Sequence, residues 1–188
     1  MNLIKTPLEG CVVIEPRIFN DNRGYFFESF NQKTFTGLTG HALPFVQDNQ
    51  SYSTKGTLRG LHLQKGEYAQ SKLVRVTLGE VLDVAVDLRK SSATYGQYFS
   101  VILSESNHLQ FFVPRGFAHG FVVLSDVAVF QYKCDNYYHK DSEAGIHFAD
   151  PTLNIDWKFA AGDLMVSDKD KELPFFKDAT DFGFRILT

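Results

Sequence analysis

Alternation of apolar and polar residues, broken by turn signals, constrains this chain more than any other feature. Side chains alternate through Lys72-Leu73-Val74-Arg75-Val76-Thr77-Leu78 and again from Val81 to Leu88, with Gly79-Glu80 between them. That is the pattern of pleated strands with one face towards a core. The two stretches are expected to pair as a hairpin with a two-residue turn, which sets Lys72 opposite Asp87 with Asp83 on the same face. Further strands are expected at Cys11–Glu15, Gly24–Phe30, Phe45–Ser53, Leu58–Leu63, Tyr98–Leu103, Gln110–Val113, His119–Leu124 and Val127–Cys134. Turn clusters at Asp21-Asn22-Arg23-Gly24, Ser104-Glu105-Ser106-Asn107 and Pro114-Arg115-Gly116 separate some of them. Helical pattern is scarce. One short helix is expected from about Gln32 to Leu38 with Asn31 as N-cap, and Ser167 can cap a turn through Asp170. Many short strands with few helices predict a mainly β fold, an antiparallel sandwich or small jelly-roll barrel. The length of 188 residues suits one domain spanning 1–188.

Composition supports the β reading and removes several function classes. Eighteen Phe, 8 Tyr and 1 Trp favour half-buried pleated surfaces and also offer platforms for a flat ligand. Nineteen basic against 22 acidic residues give a net charge of −3, so no global field draws the chain to nucleic acid or an anionic membrane. Cys11 and Cys134 stand far apart in no metal-ligand spacing, which argues against a disulfide framework and a structural zinc. The opening Met-Asn-Leu-Ile-Lys-Thr lacks the apolar core of a signal peptide, and no apolar run is long enough to span a membrane. A cytoplasmic location is therefore expected.

Two segments carry chemistry. Leu58-Arg59-Gly60-Leu61-His62-Leu63-Gln64, with Lys72 and Gly79 after it, and Pro114-Arg115-Gly116-Phe117-Ala118-His119-Gly120 resemble the two halves of the cupin signature. Cupin enzymes commonly hold a metal on His, His, Glu and His. Here Gln64 stands at the second His position and Lys72 at the Glu position. A protonated ammonium has no lone pair for a cation, so a metal-free barrel with no cofactor is expected.

The motifs narrow the resemblance further. Arg59–Gln64, Gln70–Val74, Gly79–Arg89 and Pro114–Phe121 are similar to the dTDP-4-dehydrorhamnose 3,5-epimerase family, as are Asp21–Glu28, Phe45–Asn49, Tyr132-Lys133, Asn136–Tyr138, Ile155–Trp157 and Ser167–Asp170. The resemblance runs from about Ile4 to Pro174. It implies a cupin-type jelly-roll barrel with a few short helices, whose C-terminal segment from about residue 165 reaches the active site. It also implies a cofactor-independent epimerisation of dTDP-4-dehydro-6-deoxy-D-glucose at C3 and C5, through an enolate stabilised by the C4 ketone. By the same resemblance His62 is the general base, Asp170 its partner, Lys72 the charge beside the C4 oxygen and Tyr132 the proton donor on the opposite face. Imidazole, with an unperturbed pKa near ~6.5, suits proton abstraction near neutral pH. A phenol, near ~10, stays protonated and able to donate.

Substrate binding falls, on the same grounds, to Arg23, Phe26, Glu28, Gln47, Asp48, Asn49, Arg59, Lys72, His119, Tyr138, Glu143 and Lys169, with Phe26 and Tyr138 as aromatic faces. In the family Glu28 and its neighbours reach the partner subunit's site, which implies a homodimer. Nearest among the alternatives are an epimerase acting only at C3 or only at C5, a metal-dependent cupin oxygenase, and a non-catalytic sugar-nucleotide binding module. Taken singly, these residues have plainer readings: Lys72 as an ion-pair partner on its strand, Tyr132 as core, and Asp170 as one of several surface carboxylates. Asp168 rivals Asp170 locally, and His41, His108, His139 and His147 fit surface or loop positions.

Overall fold

The computed structural model describes residues 1–179 and Phe182. Two strands open the chain, β1 (Asn2–Lys5) and β2 (Val12–Glu15), followed by a small hairpin of β3 (Phe19–Asp21) and β4 (Gly24–Phe26). Helix α1 (Gln32–Thr39) leads into β5 (Gln47–Thr54), β6 (Thr57–Gln64), β7 (Lys72–Leu78) and β8 (Glu80–Asp87). Then come β9 (Tyr98–Ser104), β10 (Gln110–Val113), β11 (Phe117–Val123) and β12 (Val127–Cys134). The C-terminal part adds β13 (Glu143–Gly145), β14 (Met165–Val166) and the single-turn α2 (Asp168–Lys171).

The strands form two main sheets, one in the order β1-β2-β10-β7-β12-β5 and the other β13-β6-β11-β8-β9. Pairing is antiparallel throughout except where β14 joins β6. The expected mainly β, antiparallel jelly roll is therefore what the chain forms. Side-chain parity explains the layers. Val74 and Val76 of the first sheet meet Val81, Ala85, Phe121 and Val123 of the second in one cluster between the sheets. The opposite face of the second sheet, including Leu82, Val84, Val86 and Val122, is covered by C-terminal residues such as Leu153 and Trp157. Helix α1 covers part of the first sheet through Phe35, which packs on Leu73 and Phe112. Its N-cap is the expected one, with Thr34 N–H donating to Asn31 Oδ1 at 3.1 Å.

One expectation is overturned. β7 and β8 do not pair as a hairpin: β7 lies between β10 and β12, and β8 between β11 and β9. β8 is buried on both faces, while β7 turns Val74 and Val76 inwards and carries Leu73, under α1, with Arg75 and Thr77 on its outer face, so the two strands are covered by different layers. The chain crosses at Gly79, where φ is +76° and an added Cβ would stand 2.0 Å from the Val127 carbonyl oxygen. Lys72 therefore faces Val113 and Cys134 in register, not Asp87. Asp87 instead pairs with Arg89 at 2.7 Å. Two other strands are shorter than expected. β4 stops at Phe26 because Phe27 turns onto His108 and Phe30 joins Phe35 and Phe45. β5 starts only at Gln47, since Phe45 belongs to that same aromatic cluster.

Candidate active site

The layer between the sheets differs from side to side. Where β2 and β10 face β8 and β9 it is filled by Val13, Phe111 and Leu103, with Phe99 packed against them. Where β5 and β12 face β6 and β11 it opens into a cavity of about 870 Å³, ample for a small-molecule ligand. Into it project Asn49, Arg59, His62, Lys72, His119, Tyr132, Glu143, Lys169 and Asp170.

Regular alternation would not place both Arg59 and His62 on the inner face, because they are three residues apart. A bulge does so. Phe121 faces Arg59 in register while His119 faces His62, so β6 carries one residue more than β11 across this step. The bulge falls at Gly60, whose φ is +142° and whose missing Cβ would lie 2.6 Å from Gly120 Cα. Only glycine fits this crossing, and it is what brings the guanidinium and the imidazole to one wall.

His62 Nε2 lies 2.7 Å from Asp170 Oδ1. Asp170 is anchored on two sides: Gly60 N–H donates to its Oδ2 at 3.3 Å, and its own N–H donates to Ser167 Oγ at 3.1 Å. Burial pushes the Asp170 carboxyl up, but His62, the Gly60 amide and Ser167 outweigh it and hold the group below its ordinary value. An ionised Asp170 fixes the proton of His62 on Nε2 and leaves Nδ1 as the basic nitrogen. The local choice between two carboxylates is thereby decided, since Asp168 points away, exposed, and pairs with Lys171 at 3.1 Å.

Across the cavity, on the other sheet, stand Lys72 and Tyr132. Among the described residues no protein acceptor takes a hydrogen bond from the Lys72 ammonium, which lies 5.9 Å from the Tyr132 ring centroid. Burial lowers its pKa, against the pull of Asp83 and Glu143. Its strand neighbour Cys134 supplies no counter-charge, because burial pushes that thiol up to about 11. Burial likewise raises the Tyr132 phenol and keeps it protonated. On the facing sheet, beside His62, His119 Nε2 meets both oxygens of Asp83, at 2.9 and 3.0 Å. Burial drives that pair towards its neutral forms, raising Asp83 and lowering His119.

The rim is a second constellation. Glu143 Oε2 accepts from Tyr138 OH at 2.9 Å and pairs with Lys169 at 2.5 Å. Burial raises the Glu143 carboxyl, but these two partners outweigh it and lower the net value. Gln47 Oε1 takes the Tyr138 N–H at 3.0 Å, and Gln47 Nε2 reaches Asn49 Oδ1, also at 3.0 Å. Gln47 and Tyr138 line a recess of about 260 Å³ that shares His62, Lys72 and Tyr132 with the main cavity.

Four expected binding residues are brought to neither the cavity nor its recess. Asp48 lies on the opposite face of β5, pairing with Lys133 at 2.9 Å, because its neighbours Gln47 and Asn49 point inwards. Arg23, Phe26 and Glu28 sit on or after the β3–β4 hairpin, outside the residues lining the cavity. Arg23 is held by Asp21, and Glu28 accepts from Asn31. Sequence reasoning missed Ser51 and Thr57, which also line the cavity. The alternation Asn49, Ser51, Ser53 along β5 carries the signal for Ser51.

The donors at the cupin metal positions do not fit a cation. Gln64 Oε1 is taken by His139 N–H at 3.0 Å, Lys72 brings an ammonium, and His62 and His119 each direct Nε2 at a carboxylate. Moving protons on a bound ligand needs a base, an acid and a charge to hold the anion between them. The open side of the barrel carries groups of all three kinds on facing sheets, which defines an isomerase of the cupin-like class.

Similarities to known proteins carry the assignment further. The family model described as dTDP-4-dehydrorhamnose 3,5-epimerase matches residues 5–178. A dTDP-4-dehydrorhamnose 3,5-epimerase of Escherichia coli is 53% identical over 173 residues, covering 92% of this chain and 93% of that protein. The crystal structure of the Elizabethkingia anophelis enzyme of that name is 58% identical with a TM-score of 0.92, covering 95% of this chain and 97% of that one. A Legionella pneumophila 3,5-epimerase, crystallised with dTDP-4-keto-L-rhamnose, is 49% identical with a TM-score of 0.91, covering 95% and 94%. The chain belongs to the dTDP-4-dehydrorhamnose 3,5-epimerase family.

Proposed function

We propose that this chain epimerises dTDP-4-dehydro-6-deoxy-D-glucose at C3 and C5 to dTDP-4-dehydro-L-rhamnose, in dTDP-L-rhamnose biosynthesis and without a redox cofactor. The observation that carries the mechanism is the opposition of His62 on β6, paired with Asp170 of α2, to Tyr132 on β12, with the Lys72 ammonium beside Tyr132. His62 Nδ1 removes the proton from the carbon next to the ketone. The electron pair moves onto the C4 oxygen, where the Lys72 charge stabilises the enolate, a contribution of about 3 kcal/mol for one such donor. Tyr132 returns a proton from the opposite face and inverts the carbon. Each inversion transfers one proton from substrate to His62 and one from Tyr132 to product, and exchange with water resets both groups.

Binding is assigned to Gln47, Asn49, Arg59, His119, Tyr138, Glu143 and Lys169, the arginine suiting a diphosphate by its bidentate fork. The projecting Arg23, Phe26 and Glu28 support a homodimer in which each hairpin completes its neighbour's site, since they lie outside their own chain's cavity. A cytoplasmic location goes with this reading, supported by the two free, buried thiols. Among the described residues no helix is long and apolar enough to cross a membrane. The test is turnover of the dTDP-4-keto sugar by wild type and His62→Ala, with dTDP binding measured on both. Loss of turnover with retained dTDP affinity supports the assignment; dTDP binding by wild type without turnover makes the chain a binding module and overturns it.

A further inference from the structure

Among the described residues the Lys72 ammonium has no hydrogen-bonded partner and stands 5.9 Å from the Tyr132 ring centroid, so no hydrogen bond at the tip fixes where the charge sits. Its position is set from its backbone. The residue before it is clamped: Ser71 N–H donates to Asp135 Oδ1 at 2.7 Å, and Asp135 N–H donates back to Ser71 O at 3.3 Å. The Asp135 side chain is fully buried. It is held in turn by Arg115, whose Nε donates to Oδ2 at 3.0 Å and whose Nη2 reaches the Asp135 carbonyl at 3.5 Å. His41 closes the third side, with a buried Nε2 that makes no hydrogen bond 3.5 Å from the same Oδ2. The carboxylate thus ties together the start of β7, the end of β12 and the β10–β11 turn.

From this we infer that Asp135, oriented by Arg115, is a positioning residue that sets the Lys72 ammonium against the developing enolate. The inference rests on the role proposed for Lys72. It gives Arg115 of the Pro114-Arg115-Gly116 turn a function that substrate contact does not supply, since neither Arg115 nor Asp135 lines the cavity. An ångström of misplacement in a catalytic group costs up to about a hundredfold in rate. Loss of the clamp therefore acts on kcat, while dTDP binding, made by other residues, stays.

The experiment is a double-mutant cycle on turnover of the dTDP-4-keto sugar, with dTDP affinity and melting temperature followed in parallel. Arg115→Met and Asp135→Ala are each expected to lower kcat at least about tenfold and to leave dTDP affinity within about twofold. Asp135→Asn, which keeps an acceptor for the Ser71 amide but loses the one for Arg115 Nε, is expected to recover only part of the loss, to about the level of Arg115→Met. In a Lys72→Met background Arg115→Met is expected to change the residual kcat by less than about twofold, since coupled groups are non-additive. An undiminished further loss in that background, or a fall in dTDP affinity matching the fall in kcat, overturns the inference. Full activity of Lys72→Met alone overturns the Lys72 reading instead, so the two failures are distinct. Should Asp135→Ala not fold, Arg115→Met decides the question alone.

Discussion

The two sides of the inter-sheet layer are built on shared strands and do opposite things. Along β7, Val74 and Val76 lie in the sealed apolar cluster, while Lys72, on the same face, lines the open cavity. Along β8, Val81 and Ala85 are core, and Asp83 between them is a buried carboxylate bound to His119. The sealed side gains stability from burial at about 25 cal/mol per Å² of apolar surface. The open side holds a half-buried ammonium with no hydrogen-bonded partner among the described residues and a neutral-leaning buried pair, arrangements that cost stability. Rigid packing on one side thus supports a poorly compensated cluster on the other, as expected where binding groups must be held ready before the ligand arrives.

Substitutions separate the two sides. The largest expected effect is that of His62→Ala, a fall in kcat of about 10²–10⁴, the range for a lost general base, with a lower melting temperature as well because the buried Asp170 carboxylate loses its partner. Next is Lys72→Met, expected to lower kcat about 10²–10³-fold while raising the melting temperature, because an unpaired ammonium leaves a half-buried position. If Lys72→Met loses stability as well as rate, the lysine belongs to the structural side and the contrast collapses. Phe111→Ala, on the sealed side, is expected to cost about 3–5 kcal/mol in urea unfolding with kcat per folded molecule nearly unchanged.

A smaller effect is electrostatic. The Asp170 carboxyl is held below its ordinary value in the folded chain, so its ionised form stabilises the fold. That contribution is fully present above the unfolded carboxylate range near ~4 and is lost as pH falls through the lower folded value. Unfolding curves of wild type and Asp170→Asn are expected to differ above that range and to converge below it. A difference that grows with acidity would reverse the assigned direction.

What the sequence reveals follows the same division. Strand positions were legible because period-2 alternation is local, and the α1 cap because Asn31 acts on its own turn. The partnering of β7 and β8 was not, since consecutive strands joined at a glycine look like neighbours until two sheets compete for them. The choice of Asp170 over Asp168 depends on where the Ser167 turn docks against Gly60, about a hundred residues away in the chain. The motif groups Asp48 with Gln47 and Asn49, although alternation alone turns it to the other face. The Gly60 bulge is the least legible feature and the most consequential, because it puts Arg59 and His62 on one wall.

The most direct measurement is epimerisation in heavy water, with deuterium located in the product by NMR. Removal of a proton by His62 and its return from Tyr132, both in exchange with solvent, predicts one deuterium at C3 and one at C5 of the hexose. Tyr132→Phe should then slow inversion more than it slows proton abstraction. Product formed without solvent deuterium, or label confined to one of the two carbons, would contradict the account.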